Sequence, residues 1–191
     1  MIGLPPSPMP LPERERRWLP SLAVLSLILV IVFGGYVAAG ALSEPAGVPV
    51  EVAGVVRVAP LSGWQPAGRF TDPPGVRLTR GSGTLDVYAA SFAADAAALA
   101  RQYATKVLRA NAERLSVSRG LETIRLRSGI AGVRFSYVGT FEGARTAIEG
   151  EVTAVVSPTG AGVVFDGWAP EGLLQYVSDD LHTMILSAEV R

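Results

Sequence analysis

Acidic and imidazole side chains near the C-terminus have the residue types and spacing for chemistry. Asp179, Asp180 and His182 lie within four positions of one another, and on a helix Asp179 and His182 would share a face at i, i+3 spacing. Together they offer ligands for a cation, and protein sites usually need three or four. Because no other dense acidic group accompanies them, the pattern favours a solvated helix face over a metal site.

A hydrolase with a Ser–His–Asp triad is formally possible because His182 is available. The sequence has no Gly-x-Ser-x-Gly motif and no Ser-x-x-Lys, since the only lysine is Lys106 within a predicted helix. It has no Cys and one His, which excludes disulfides, thiolate chemistry and metal sites with two or three His ligands. The sequence therefore predicts a protein that is not an enzyme and has no metal or cofactor.

Two further patterns favour structural roles over ligand binding. Arg80-Gly-Ser-Gly-Thr84 resembles a phosphate loop, but it lacks the P-loop lysine and leads into a predicted strand, which favours a turn. Three arginines on neighbouring strand patterns face glutamates of the next strand, which favours cross-strand pairing over an anion-binding surface. These residues are Arg125, Arg127, Arg134, Glu149 and Glu151.

Four aromatic residues are the candidates for partner binding. Trp64 and Phe70 lie in a Pro/Gly-rich stretch, and Trp168 lies at the end of a predicted strand, where binding surfaces concentrate. Tyr176 could join them. Aromatic side chains in loops suit ligand or protein contacts. The alternative for Trp64 is a structural role, in which its ring closes the edge of the core.

The elements that must position these residues belong to a chain of 191 residues with a formal net charge of zero. The length fits one domain with a modest appendage and excludes a large multidomain enzyme. The net charge argues against a nucleic-acid binder. Mean hydropathy is +0.33, and the apolar excess is concentrated near the N-terminus.

Residues 19–42 contain no charged side chain. As a helix they would be about 36 Å long, which is enough to span a bilayer core of about 30 Å. Arg14, Arg16 and Arg17 precede this segment, so the positive-inside rule places the Pro-rich tail of residues 1–18 in the cytoplasm. The predicted location is the cell membrane, with one pass and an extracytoplasmic C-terminal domain.

Two questions about this segment stay open. Ala39-Gly40-Ala41 resembles a signal-peptide cleavage site, so cleavage after Ala41 is the alternative to a retained anchor, although the apolar stretch is longer than usual for a signal peptide. Small residues at i, i+4 spacing also allow two spanning helices to approach closely and form a homodimer. These residues are Gly34, Gly35, Ala38 and Ala39.

Residues 43–49 read as a linker, and residues 50–191 form the predicted extracytoplasmic domain. The periodicity predicts a strand over 50–58, a long loop over 59–75, a hairpin over 75–92, a helix over 95–115, four strands over 122–169 and a helix starting at Pro170. Strands joined by short turns are antiparallel, and each helix has one apolar stripe. The predicted fold class is therefore α+β, an antiparallel sheet flanked by two helices.

This element order, with Pro60-Leu-Ser-Gly-Trp64 after the first strand, resembles the family that includes Mog1, PsbP and small mycobacterial cell-envelope proteins of that fold. The resemblance implies a sheet with helices packed on it and non-enzymatic roles in docking, assembly or small-ligand binding. Many envelope members are lipoproteins, and this chain lacks the Cys that lipidation needs. The spanning helix would replace that anchor, and the excess of Arg over Lys is typical of GC-rich bacterial genomes.

The sequence predicts a membrane-anchored, non-catalytic domain that docks a protein or envelope partner through residues 59–75. The alternative is a carrier of a small apolar ligand, held between the sheet and a helix; a hydrolase using His182 comes third. A carrier predicts a lined cavity of roughly 300 Å³ or more, whereas protein docking predicts a flat exposed apolar patch.

Overall fold

The structure is a computed structural model that describes residues 47–191. The predicted tail, the membrane-spanning segment with its small-residue pairs, the cleavage site and most of the linker lie outside these residues. None of the helices in the described part of the chain has the length and apolarity that crossing a bilayer requires.

Strands dominate the domain, and two main helices interrupt and close their series. In chain order the elements are β1 (Val50–Val52), β2 (Val56–Val58), β3 (Gln65–Thr71), β4 (Pro74–Arg80), β5 (Gly83–Ser91), α1 (residues 96–111), β6 (Ala112–Val117), β7 (Glu122–Arg125), β8 (Ala131–Phe141), β9 (Ile148–Val156), β10 (Ala161–Pro170), α2 (Ser178–Ser187) and β11 (Glu189–Val190). A short 3-10 turn, Leu174–Tyr176, precedes α2.

The strands form two antiparallel sheets. The larger sheet has the order β3-β4-β5-β10-β9-β8-β6, with β7 also paired to β8. The smaller sheet has the order β1-β2-β11 and joins the two ends of the domain. The pairing of β5 with β10 connects residues 70 to 84 positions apart, and these two strands form the middle of the larger sheet.

Each face of the larger sheet has its own hydrophobic core. On one face, α2 and the smaller sheet pack on side chains such as Leu78, Leu85 and Phe165. On the other face, α1 packs on side chains such as Phe135 and Val152. The alternation of apolar residues along β5 and β10 supplies both cores. Residues 43–191 form a compact unit of their own, so we expect this unit to fold without the preceding segment.

Helix α1 begins as the sequence predicts and ends earlier. The Asp95 carboxylate accepts a hydrogen bond of 2.7 Å from the backbone N–H of Ala98, which caps the first turn. The helix consists of Ala96–Tyr103, a π-helical turn at Ala104–Leu108 and a last turn at Arg109–Asn111. The prediction of helix to residue 115 is wrong because residues 112–117 pair with β8 instead.

Three other predictions differ from the structure. The strand predicted over 50–58 is two strands, β1 and β2, paired antiparallel around a turn at residues 53–55. Residues 59–75 are not a continuous loop, because β3 lies within them as an edge strand that pairs, among the described strands, only with β4. Pro170 ends β10 and does not start the final helix, which begins at Ser178 after a turn at Gly172. An edge strand has hydrogen bonds to a neighbour on one side only, so it tolerates Pro66. The exposed residues of β3 also lack the alternation of buried and exposed positions that usually predicts a strand.

The polar face of α2 is tied to the sheet and is not simply solvated as predicted. Asp180 accepts a hydrogen bond of 2.9 Å from the indole Nε1 of Trp64 and pairs with Arg80. His182 Nε2 lies 2.5 Å from Glu151 Oε2, and Arg134 bridges Glu151 and Glu122. These pairs hold α2 against the face of the larger sheet that contains Leu78, Leu85 and Phe165.

Hydrogen bonding to His182, with the charge of Arg134, lowers the pKa of Glu151 against the effect of burial. Within residues 47–191 no group of three His, Asp or Glu side chains is arranged to hold a metal ion.

Candidate functional site

A cleft separates α1 from the β3-β4-β5-β10 side of the larger sheet. Its outer cavity has a volume of about 450 Å³ and a mainly apolar lining. The apolar side chains come from both walls: Phe70, Tyr88, Phe92, Leu99, Val107 and Val164. Asp72, Gln102 and Lys106 also line it, and all three are exposed. The outer cavity therefore combines an apolar interior with a polar rim.

A second, smaller space of about 200 Å³ adjoins the outer cavity, because Tyr88, Tyr103 and Val107 line both. We call it the inner chamber after the buried Asp166 that lines it; it opens to solvent beside the exposed Asn111. Its lining includes two acidic side chains, Asp86 and Asp166. Aromatic rings make up much of the remainder: Tyr88, Tyr103, Tyr137, Phe141 and Trp168. The cleft thus leads from apolar walls to an acidic and aromatic end.

Asp166 is one of the two buried acids of the chamber. It lies on β10 with 4% of its surface exposed. Tyr103 on α1 donates a hydrogen bond of 2.8 Å to one carboxylate oxygen, and Tyr137 on β8 donates one of 2.9 Å to the other. One carboxylate therefore links the helix to the sheet across the chamber.

Burial raises the pKa of Asp166 to about 7. The hydrogen bonds from Tyr103 and Tyr137 and the charge of Arg77 oppose this rise, while the neighbouring Asp86 adds to it. Burial, followed by the Asp166 charge, also raises the pKa of Tyr103 and Tyr137 well above the usual value for a phenol. Both hydroxyls consequently keep their protons and act as donors.

Asp86 has a different set of partners. It lies on β5 with 3% of its surface exposed. Arg77 on β4 donates two hydrogen bonds of 2.7 Å to the Asp86 carboxylate, one from Nε and one from a terminal nitrogen. Trp168 donates a third bond of 3.2 Å from its indole nitrogen. Such a bidentate pair is the strong form of an arginine–carboxylate contact, and its hydrogen bonds raise the pKa of Arg77.

Glycines make room for the chamber on the sheet. A Cβ added at Gly150 would lie 2.6 Å from the Tyr137 ring, and one at Gly75 would lie 2.9 Å from the Tyr88 ring. Gly150 and Tyr137 are register partners on β9 and β8. The missing side chain lets the Tyr137 ring lie across the strand and reach Asp166.

The four predicted binding residues are placed separately. Phe70 lines the outer cavity and Trp168 the inner chamber, with the Arg77 guanidinium 5.3 Å and 5.6 Å from their ring centres. Trp64 is 4% exposed and lies in the other core, the structural position named as its alternative. Tyr176 is 72% exposed in the turn before α2.

Sequence reasoning missed Asp86, Asp166 and the tyrosines around them. A signal was present, since Asp166 interrupts the apolar run Val163-Val-Phe-Asp-Gly-Trp168 and Asp86 lies between Leu85 and Val87. Charged residues are rarely found inside such runs unless they are paired or functional. An acid within a buried strand thus predicts a partner or a ligand.

Comparison with known proteins identifies solved structures that have a similar fold. The sequence matches no protein-family model and no curated protein. The solution structure of cyanobacterial PsbP (CyanoP) from Synechocystis sp. PCC 6803 has a TM-score of 0.53 at 14% identity, covering 71% of this chain and 86% of that chain. The Saccharomyces cerevisiae Ran-binding protein Mog1p has a TM-score of 0.53 at 10% identity, covering 77% and 96%.

LpqN, involved in cell envelope biogenesis of Mycobacterium tuberculosis, has a TM-score of 0.49 at 12% identity, covering 77% of this chain and 86% of that chain. The likeness to PsbP and Mog1p confirms the predicted Mog1/PsbP-like fold, with an antiparallel sheet and two helices. At these identities the likeness establishes the fold alone.

Proposed function

We propose that this domain is a non-catalytic binding module that holds a small, mainly apolar ligand between α1 and the larger sheet. The observation that carries the proposal is the outer cavity of about 450 Å³ with its apolar walls. Ligand sites are typically clefts of roughly 300–1,000 Å³ with apolar linings and a few placed polar groups. The outer cavity has this size, and the inner chamber provides the polar groups.

The wall formed by α1 supports ligand binding in a second way. Its π-helical turn, Ala104–Leu108, carries Lys106 and Val107 at the cavity, and Val107 leaves 39% of its surface exposed. Single π-helical turns are frequent at functional sites. Covering an exposed apolar side chain with an apolar ligand is favourable, because it removes apolar surface from water.

Binding of N-phenyl-1-naphthylamine, an uncharged fluorescent probe, tests the proposal on residues 43–191. Ala90 is exposed and lines the outer cavity, so Ala90→Trp fills the space from within. We expect the variant to lose at least about tenfold in probe affinity, which corresponds to about 1.4 kcal/mol.

The matched control is Ala131→Trp, which alters an exposed strand alanine away from the cavity lining. Equal probe affinity for both variants, with both folded by circular dichroism, would count against the cleft as the binding site.

A second candidate function is the docking of a protein or envelope partner. Its support is Tyr176, 72% exposed, beside Leu173, 38% exposed, in the turn before α2. Residues 59–75 support it less, because Trp64 is buried and Phe70 turns into the cleft. Cross-linking of the full chain in membranes, compared between wild type and Tyr176→Ser, tests it; unchanged products would oppose docking at this turn.

We further propose that residues 19–42 anchor the domain in the cell membrane, with the domain outside, since this segment has no charge and follows three arginines. N-terminal sequencing of membrane-extracted protein tests the anchor, and a mature start at Leu42 would show cleavage instead. Pairing through Gly34, Gly35, Ala38 and Ala39 stays a prediction.

A further inference from the structure

We infer that the inner chamber receives a protonated amine, so that the ligand is an alkylammonium whose chain fills the outer cavity and whose ammonium lies beside Asp166. This inference rests on the proposed function, because it assigns a chemical class to the ligand of the same cleft.

The chamber lacks one positive charge. Asp86 and Asp166 both line it, and Arg77 balances Asp86 through two bonds of 2.7 Å. From the described part of the chain, Asp166 receives hydrogen bonds only from the neutral hydroxyls of Tyr103 and Tyr137. Among residues 47–191, no Arg, Lys or His nitrogen pairs with it within 4 Å. A buried carboxylate is stable when a cation pairs with it, and a ligand ammonium meets that need.

The walls of the chamber suit a cation as well. The rings of Tyr88, Tyr103, Tyr137 and Trp168 surround the space, and aromatic faces attract an ammonium or guanidinium within about 6 Å. Arg77 already lies in such a position, 5.6 Å from the centre of the Trp168 ring. The aromatic lining therefore favours a positive head group and gives no advantage to a negative one.

Hydrogen bonding distinguishes an ammonium from other head groups. Each Asp166 oxygen accepts one tyrosine hydroxyl, and a carboxylate with four lone-pair positions can accept more. An ammonium brings three donors and a positive charge, an alcohol brings one donor and no charge, and a carboxylate brings a negative charge and no donor. An anionic head group would instead be attracted to Lys106 at the rim of the outer cavity. The ligand would then bind in the opposite orientation, with its head group away from Asp166.

Proton binding gives the inference a second signature. The titratable groups that face Asp166 are Asp86 and Tyr88 on β5, Arg77 on β4, Tyr103 on α1 and Tyr137 on β8. In the empty chamber burial holds the Asp166 pKa at about 7, so the carboxyl is partly protonated near neutral pH. An ammonium favours the ionised carboxylate, so ligand binding expels that proton.

The test is calorimetric titration of residues 43–191 with three probes of equal chain length: octylammonium, octanol and octanoate. At pH 8 we expect octylammonium to bind at least about tenfold more tightly than octanol, because its charged head group makes charge-assisted hydrogen bonds to Asp166. Asp166→Asn should lower octylammonium affinity to the octanol level and leave octanol unchanged. Asp179→Asn, an equal charge change at an exposed position, should alter neither.

A measurement on the wild type protects the test against misfolding of Asp166→Asn. At pH 6.5, titration in buffers with different ionisation enthalpies should show proton release with octylammonium and none with octanol. The alkylammonium stays protonated, as a lysine side chain does, so the released proton comes from the protein.

The outcomes separate the two proposals. Equal affinity for octylammonium and octanol would overturn the ammonium inference and leave the apolar cleft standing. Tightest binding of octanoate, lost in Lys106→Met, would also overturn it and place the head group at the rim. Failure of all three probes to bind would overturn the proposed function together with the inference.

Discussion

Asp86 and Asp166 are register partners on the adjacent antiparallel strands β5 and β10, so two buried carboxylates lie directly opposite each other on one face of the sheet. Like charges at such positions destabilise a sheet. The two acids are stabilised by different partners. Arg77 forms an ion pair with Asp86, whereas two tyrosine hydroxyls donate hydrogen bonds to Asp166. Within the described residues Asp166 therefore has no cation of its own, and burial raises its pKa to about 7.

Replacement of Arg77 by Met should be destabilising. The substitution leaves the buried Asp86 without its cation. Because the Arg77 side chain is 38% exposed, we expect a loss of about 1–3 kcal/mol, less than the loss of about 3–5 kcal/mol for a fully buried pair. Arg57→Met is the matched control, since Arg57 pairs with Glu189 at 3.8 Å on the surface, where a pair contributes about 0–1 kcal/mol. Urea unfolding of residues 43–191 measures both. Similar losses in the two variants would contradict the assigned role of Asp86.

The stability of the domain should fall as pH rises from about 4 to 7. Burial raises the Asp166 pKa from its ordinary value of 3.8 to about 7, so in this window the native chain holds a proton that the unfolded chain releases. The free energy of unfolding then decreases with pH, by at most about 1.4 kcal/mol per unit, and levels off above pH 7. Urea unfolding at pH 5, 6, 7 and 8 measures the slope.

Asp166→Asn serves as the control for this pH dependence, because the amide cannot ionise and the slope should disappear. The lowered pKa of Glu151 acts in the opposite sense, adding stability that is lost only as pH falls below its ordinary value of 4.5, which is below the measured range of about pH 5 to 8. A wild-type stability that rises between pH 5 and 7 would mean that Asp166 ionises without penalty.

Replacement of Tyr137 by Phe should destabilise the domain more at pH 8 than at pH 5. At pH 8 the variant removes a hydrogen bond to an ionised, buried carboxylate, a loss of about 1–3 kcal/mol. At pH 5 Asp166 is protonated, so the loss is smaller. Tyr88→Phe is the control, because within the described residues the Tyr88 hydroxyl has no hydrogen-bond partner and its ring packs near Tyr103. Equal losses at both pH values would assign the effect to packing.

The parts of the fold that follow from sequence are those whose pattern is local. Strand β8 is predictable because its residues alternate in burial from Phe135 to Gly139. Strand β9 is predictable because polar residues alternate with Gly or apolar residues over positions 149–154 of the sequence. Strand β3 escapes prediction because it is an exposed edge strand whose residues do not alternate in burial. Strand β6 escapes because its pairing with β8 overrides helical propensity. Local pattern does not report which strand will pair with an exposed segment.

The candidate site is harder to predict for a related reason. Asp86 and Asp166 are separated by eighty positions, and only the register of β5 and β10 places them opposite each other. Tyr103 and Tyr137 read as members of apolar stripes, and their hydroxyls gain significance only when α1 packs over β10. Sequence identifies the unusual acids within buried strands, while the topology identifies their partners.

Replacement of Gly150 by Ala tests whether the Tyr137 ring is held in place by the space above the neighbouring strand. The added Cβ would lie 2.6–2.7 Å from ring atoms and the hydroxyl of Tyr137, closer than side chains can approach. The ring must therefore shift, and its hydroxyl leaves the 2.9 Å contact with Asp166. Overpacking of this kind costs about 1–3 kcal/mol, which exceeds the gain of about 0.4–1 kcal/mol from a stiffer unfolded chain.

Gly68→Ala is the control for the same substitution on an open strand. Gly68 lies on β3, and its nearest neighbour to an added Cβ is the Arg77 Cβ at 3.9 Å, an ordinary contact. We expect Gly68→Ala to change the free energy of unfolding by less than about 1 kcal/mol, and Gly150→Ala to lower it and to weaken octylammonium binding. A Gly150→Ala variant as stable as the wild type, with unchanged ammonium affinity, would show that Tyr137 moves freely and that its hydroxyl does not shape the chamber.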